Sequence, residues 1–378
     1  MTNNPKPLKG RYDDFESYVE ALVPLARDEW YAKSLDLNLA GRLTDYSTSG
    51  PVETYKIGAT YQPIDDLRLR ATESHDIRAP NISELFSGSA QSRPTIIDPE
   101  NNNETVSGVL SLRYGNPNLV PENANTTTFG FVYQPSWLEG LTASVDYYNI
   151  GIHGEIAQPA PQDVVTFCFE GNSSYCNLIT RQNGQIVTID TPSLNLAKTL
   201  TRGDDLEIDY RTDLADISPA LDGSISFRAM GTYVAKQTTT TPTAAGIVTV
   251  NRAGDIGTSS QPRWVAIDSV SYQKGPATVT VSGRYVGAGV YNSTYNNSNY
   301  NTGYIDDNNI PAIYYVNFTA EYLLQGVFAA PKLFFNIENL LDQTPPPVPG
   351  TNFEQLQTDP ALYDIEGRAF TIGVRFNY

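Results

Sequence analysis

Apolar and polar residues alternate along most of this chain with a period of two. In SLDLNLAGRL, Leu35, Leu37 and Leu39 stand against Asp36 and Asn38; in ATVTVSGRYVG, Val279, Val281 and Tyr285 stand against Thr278, Thr280, Ser282 and Arg284. Successive side chains of a strand point to opposite faces, so the spacing predicts strands with one greasy and one wet face. The pattern starts with Val19, Ala21, Val23 and Leu25, where Pro24 argues against a helix. It recurs in Leu206, Ile208 and Tyr210 against Glu207, Asp209 and Arg211. It closes with Phe370, Ile372, Val374 and Phe376 against Thr371, Gly373 and Arg375. The whole chain reads as about 13 strands, mostly about 9 to 12 residues long.

The joints alternate as well. Short, turn-like ones fall at 61–67, 134–141, 273–277 and 324–331; long polar ones fall at 76–124, 152–202, 236–261, 288–311 and 342–366. In an antiparallel meander every second connection lies on the same side, so the long loops gather on one face. Strands of this length, tilted about 45°, match a hydrocarbon layer, and short turns opposite long loops are the pattern of a transmembrane barrel. Tyr61, Tyr133, Tyr233, Tyr285, Tyr314 and Tyr315 sit near strand ends, where amphipathic rings would form an aromatic girdle. The fold class expected is all-β, an antiparallel transmembrane β-barrel. A soluble sandwich also alternates, but its strands are usually nearer five or six residues.

Charge narrows the partners. The chain carries a net charge of -17, from 42 acidic and 25 basic residues, with no basic run interleaved with aromatics. Nucleic acid is excluded as a partner, because a phosphate backbone needs a positive surface. No stretch of about 18 apolar residues occurs, so no transmembrane helix is expected, which says nothing against a barrel. The N-terminal MTNNPKPLKGRYDDFE has no apolar signal-peptide core.

Catalytic chemistry finds no footing. His75 and His153 are the only histidines, and neither lies in a nucleophile or zinc motif; both are expected in loops or at a rim. Asp65-Asp66, Asp204-Asp205 and Asp306-Asp307 read as solvated turns or strand starts. No catalytic, metal or cofactor site is expected. Cys168 and Cys176, the only cysteines, flank the loop-like EGNSSY. A disulfide between them would contribute about 2–3 kcal/mol and needs an oxidising compartment; two free thiols are the alternative. With no histidine or third cysteine nearby, they are not a metal site.

An ordered series of segments resembles a known family. RATESHDIRAPNISELF (70–86), GNPNLVPENANTTTFGF (115–131), VDYYNIGIHGEI (145–156), FFNIENLLDQTPPP (334–347) and DIEGRAFTIGVRFNY (364–378) are similar to consecutive motifs of the TonB-dependent outer-membrane receptors. Two positions depart from the family pattern: Ile77, where an aromatic is usual, and Asp205, where a hydrophobic residue is more frequent.

The resemblance implies the C-terminal part of a receptor barrel, about 13 of the family's 22 strands. The signal peptide, TonB box, plug domain and early strands would be absent, and Met1 would be an internal residue or a truncated gene start. It implies residence in the outer membrane of a Gram-negative bacterium and TonB-driven uptake of a scarce solute such as a siderophore, cobalamin, a saccharide or a peptide. Implied partners are the TonB system, acting through the plug region, the outer-membrane assembly machinery and outer-membrane lipid. Phe376 and the terminal Tyr378 resemble the aromatic signal that the assembly machinery reads. This chain alone is not expected to transport. A passive porin-like barrel and a secreted soluble β-rich binding module remain as alternatives.

Overall fold

The computed structural model describes residues 7–243, 246–257, 260–295, 307–326, 330–348 and 357–376. Thirteen strands form one antiparallel path in chain order: β1 (Asp14–Glu29), β2 (Ala32–Tyr46), β3 (Gly50–Ile64), β4 (Leu67–Arg78), β5 (Glu122–Tyr133), β6 (Leu141–Ala157), β7 (Leu194–Asp213), β8 (Ser224–Thr243), β9 (Trp264–Lys274), β10 (Ala277–Val286), β11 (Ile313–Leu323), β12 (Lys332–Glu338) and β13 (Ala369–Arg375). The short strand Gly246–Asn251 pairs with the upper part of β8 alone. Each strand expected from the alternation is present.

Lengths differ from expectation. β1 has 16 residues and β7 and β8 have 20 each, while β12 and β13 have 7. The long strands continue past the alternating segment as polar ribbon, for example Gln237–Thr241 of β8, which the hydropathy period does not mark. Asp204 and Asp205 are therefore mid-strand rather than at a strand start, because β7 begins ten residues earlier than the greasy pattern. Asp65 and Asp66 do form a turn. Pro24 sits at a register shift in β1, the free edge, where a missing N–H breaks no ladder and Leu25 is left without a partner.

Cross-strand register joins the greasy positions into continuous rows. Tyr210, Phe227, Val270, Val281, Phe318, Ile337 and Phe370 face one another in succession across β7 to β13. This face is exposed: Phe370 is 65% and Ile372 84% accessible. Tyr61, Tyr133, Tyr233, Tyr285 and Tyr314 share it. Tyr315, expected in the girdle, falls on the opposite parity and is buried under the loops. Asp268 also stands on the greasy face, and Tyr314 donates its hydroxyl to both of its oxygens at 2.8 and 2.9 Å. Gly283 lies between them; a Cβ there would come within 1.8 Å of the Tyr314 hydroxyl.

Connections at 30–31, 65–66, 134–140, 214–223, 275–276 and 324–331 lie at one end of the sheet. The long ones, 79–121, 158–193, 244–263, 287–312 and 339–368, lie at the other, joined by the three-residue link 47–49. The described core is not between sheets. It sits in two clusters among the long loops.

Candidate functional site

The polar face and the long loops are the parts able to meet a solute. On the polar face, Arg70 of β4 reaches over Gly130 of β5 to Asp146 of β6, with Nε donating to Oδ1 at 2.7 Å and Nη2 donating to Oδ2. Register brings these three residues into line. A Cβ on Gly130 would lie 2.0 Å from Asp146 Oδ1, so glycine is required for this bridge to close. Next to it, Arg228 of β8 donates to Glu207 Oε1 at 2.6 Å and stands 3.5 Å from Asp209. Thr232 donates to Asp205 at 2.7 Å. Asp146, Asp205 and Glu207 line a recess of about 380 Å³ together with Arg70, Met230 and Ile267. It is a wall of fixed charges with a small apolar floor, suited to a hydrated lumen rather than to proton transfer.

At the rim, two of the family-like segments are knotted together. Asn81 and Glu84 form a reciprocal capping box that starts the short helix Ile82–Phe86. Arg78 donates to both Glu84 oxygens at 3.0 Å and to Glu122 Oε2 at 2.8 Å, and Glu122 Oε1 accepts from the backbone of Ile156. The backbone N–H of Asn116 donates to Glu84 O at 2.8 Å. These residues position the loops.

Above this knot, loops 79–121 and 158–193 build a four-stranded sheet of their own. Gln185–Pro192 runs parallel to Leu110–Tyr114, and Ile179–Gln182 and Ala90–Ser92 flank the pair. Helix Pro161–Phe169 covers it, with Val164, Val165, Ile96, Ile186 and Ile189 buried between. Gln162 of that helix imitates a strand partner, accepting from Ile97 N at 2.8 Å and donating to Ile97 O at 2.9 Å. Asp98, fully buried, takes both guanidinium nitrogens of Arg181 at 2.6 and 2.8 Å, which holds its carboxyl below the usual range. Burial pushes the Asp190 carboxyl up, against the pull of the Tyr114 hydroxyl. Cys168 and Cys176 are bonded to each other, with Cα atoms 4.7 Å apart, and clip the helix to the next turn, Ser173–Cys176.

A second cluster joins loops 244–263, 287–312 and 339–368. Ile256, Tyr291, Ile310, Tyr315, Val348 and Tyr363 are buried in it. Asp255 accepts from Arg252 at 2.7 Å and from the Ser293 amide and hydroxyl at 3.1 and 3.0 Å. Asn339 explains the Asn-Leu-x-Asp segment: it links the end of β12 to Asn317, Asp364 and Gln343. Asp342 then accepts from the backbone of Arg368, just before β13. Burial pushes the Tyr363 hydroxyl up to about 12.

His75 and His153 lie in β4 and β6 near the loop end, with His75 Nδ1 2.8 Å from Asn125 Oδ1. Among the described residues no group of His, Cys, Asp or Glu is arranged to hold a metal. Among these residues, too, no helix is long and apolar enough to cross a membrane. Phe376 is half exposed on the greasy face; Tyr378 lies outside the described residues, as does Asp306. The polar-face network of Asp146, Glu207 and Arg228 is not identifiable from sequence, since its pairing depends on register across three strands.

Known proteins agree with this architecture. The chain resembles the siderophore receptor PirA from Acinetobacter baumannii (TM-score 0.66, 15% identity), covering 98% of this chain and 47% of that one. It also resembles a ferric enterobactin receptor mutant, PfeA, from Pseudomonas aeruginosa (TM-score 0.65, 14% identity; 96% and 44%). The FrpB iron transporter from Neisseria meningitidis aligns with TM-score 0.57 and 14% identity (96% and 45%). The chain thus spans about half the length of the structures it matches, and at these identities the likeness concerns the fold. No curated protein matches the sequence significantly. A family model for the TonB-dependent receptor-like β-barrel matches residues 1–340, and the chain belongs to that family.

Proposed function

We propose that this chain forms part of the barrel wall and loop face of an outer-membrane receptor that takes up a scarce solute with energy from the TonB system. The observation that carries the proposal is the two-faced sheet: unbroken apolar rows on one side, fixed charges on the other, and every long loop at one end. An apolar face this continuous belongs against lipid. The charged face suits a watery lumen occupied by a plug.

The strand count supports completion by further strands. As first and thirteenth members of an antiparallel meander, β1 and β13 run in the same direction. Among the described residues β1 pairs with β2 alone and β13 with β12 alone. The two edges cannot close on each other as an antiparallel pair, and an open edge in lipid leaves backbone groups unpaired at several kcal/mol each. An odd number of additional strands closes the barrel, and the resemblance supplies nine. The plug, the TonB box and those strands would come from outside residues 1–378.

The solute is met at the two loop clusters. Ferric siderophores are the first class to test, since the similar structures are named for them, with cobalamin, saccharides and peptides after. The test is uptake by iron-starved cells carrying the completed receptor, with and without a functional TonB. Energised uptake that vanishes without TonB supports the proposal. Equal, non-saturable uptake in both would establish a passive pore instead.

A further inference from the structure

The greasy face changes character above the paired rings of Tyr233 and Trp264, whose centroids are 4.6 Å apart. Continuing up the same face, β7 presents Arg202 and Lys198, β8 presents Lys236 just past a register shift at Ala235, and β6 presents His153, all exposed. Register sets Arg202 directly opposite Lys236, and Lys198 opposite His153. Cβ atoms of such cross-strand pairs stand about 5 Å apart, and the like charges of Arg202 and Lys236 so placed repel. No ion pair among the described residues holds Arg202, Lys198 or Lys236. Arg202 Nε donates to Asn149 Oδ1 at 3.2 Å, which steadies the guanidinium without neutralising it. Asp204, opposite Tyr233, shares the face, as does Asp268, which the Tyr314 hydroxyl already engages. A protein with a net charge of -17 thus keeps a group of unneutralised cations on its outer wall.

We propose that Arg202, Lys236 and Lys198 form a site for the phosphate groups of outer-leaflet lipid. Height selects the occupant: the cations lie one to three residue pairs above the Tyr233–Trp264 rings, and aromatic rings of this kind mark the boundary where head groups begin. A phosphate between Arg202 and Lys236 relieves their repulsion and receives charge-assisted hydrogen bonds from both. The acyl chains of the same lipid then run down the Tyr210–Phe227–Val270 row. The inference rests on the membrane placement proposed above and adds to it one specific contact on the outer wall, away from the solute path.

The test places the completed receptor in phosphatidylcholine vesicles doped with diphosphoryl lipid A or with its dephosphorylated form, checks insertion by flotation, and quantifies retained glycolipid by mass spectrometry after extraction. Each basic residue near an anionic surface is worth about fivefold in affinity. The wild type is expected to retain the phosphorylated lipid at least tenfold better than Arg202→Gln/Lys236→Gln, and to lose that advantage with the dephosphorylated lipid. Lys274→Gln, at the opposite end of β9, leaves retention unchanged. Equal retention by wild type and double variant, in chains that float alike, overturns the site and leaves the membrane placement standing. Displacement by millimolar inorganic phosphate as complete as by lipid also overturns it, by showing a free-anion site. A completed receptor that floats with neither vesicle contradicts the placement, and this inference with it.

Discussion

The loop cluster over β4 to β7 and the one over β8 to β13 cover neighbouring stretches of the same rim, yet different forces hold them. The first has regular structure of its own: a small sheet with a parallel pair, a covering helix, an aliphatic core, a disulfide and the buried Asp98–Arg181 bridge. Among the described residues of the second, regular structure amounts to little more than the strand Gly246–Asn251 and the short pairing of Gly289–Val290 with Asn309–Ile310. Tyrosines fill it, and short polar side chains such as Asp255, Asn292 and Asn339 satisfy its backbone. A loop with its own core keeps its shape against changes at its base; a loop woven from side-chain hydrogen bonds keeps it only while each partner is present. The first cluster is therefore the rigid part of the loop face and the second the adjustable one.

Removing the buried bridge tests that contrast most severely. Asp98→Ala leaves Arg181 without its principal partner in a largely enclosed site and is expected to cost the first cluster about 3 kcal/mol. Amide exchange at Ile96 and Ile189 should rise, while Ile256 and Ile310 stay protected. Reduction of Cys168–Cys176 comes next, at about 2–3 kcal/mol on the loop-entropy account. It should loosen helix Pro161–Phe169 in a limited-proteolysis assay and spare the second cluster. If both clusters open together in either experiment, they are one cooperative unit and the contrast fails.

Acid gives a graded version. The Asp98 carboxyl lies below its ordinary 3.8 when folded, so its contribution is full above that value and disappears as pH falls through the lowered one. Exchange in the first cluster should accelerate below about pH 4, and Asp98→Asn should remove that acid dependence. The smallest effect is expected in the second cluster. The buried Tyr363 hydroxyl has no hydrogen-bond partner among the described residues, so Tyr363→Phe should change thermal stability by less than about 1 kcal/mol, in the stabilising direction.

Most of the sheet was legible in the sequence because a strand's two faces are written locally, at every second residue. The thirteen strands and the long-short alternation follow from that alone. What escaped had no local signal. Polar extensions lengthened β7 and β8, one step of parity moved Tyr315 under the loops, and the parallel pairing of Thr188 with Leu110 joins segments from two different loops. Asp205 and Glu207 became recognisable as luminal only when register set them beside Asp146 and Ser144. The family-like segments were readable as motifs, but their work, tying Arg78 to Glu84 and Glu122 and Asn339 to Asp364, required the fold.

The central claim is that one face of this sheet meets lipid and the other water. Single cysteines at Val279, Thr280, Val281 and Ser282 of β10, spin-labelled in the membrane-inserted receptor, test it most directly by their accessibility to oxygen and to a water-soluble nickel chelate. The account predicts strict alternation, with oxygen favoured at Val279 and Val281 and the chelate favoured at Thr280 and Ser282. Equal chelate accessibility at all four positions would contradict it.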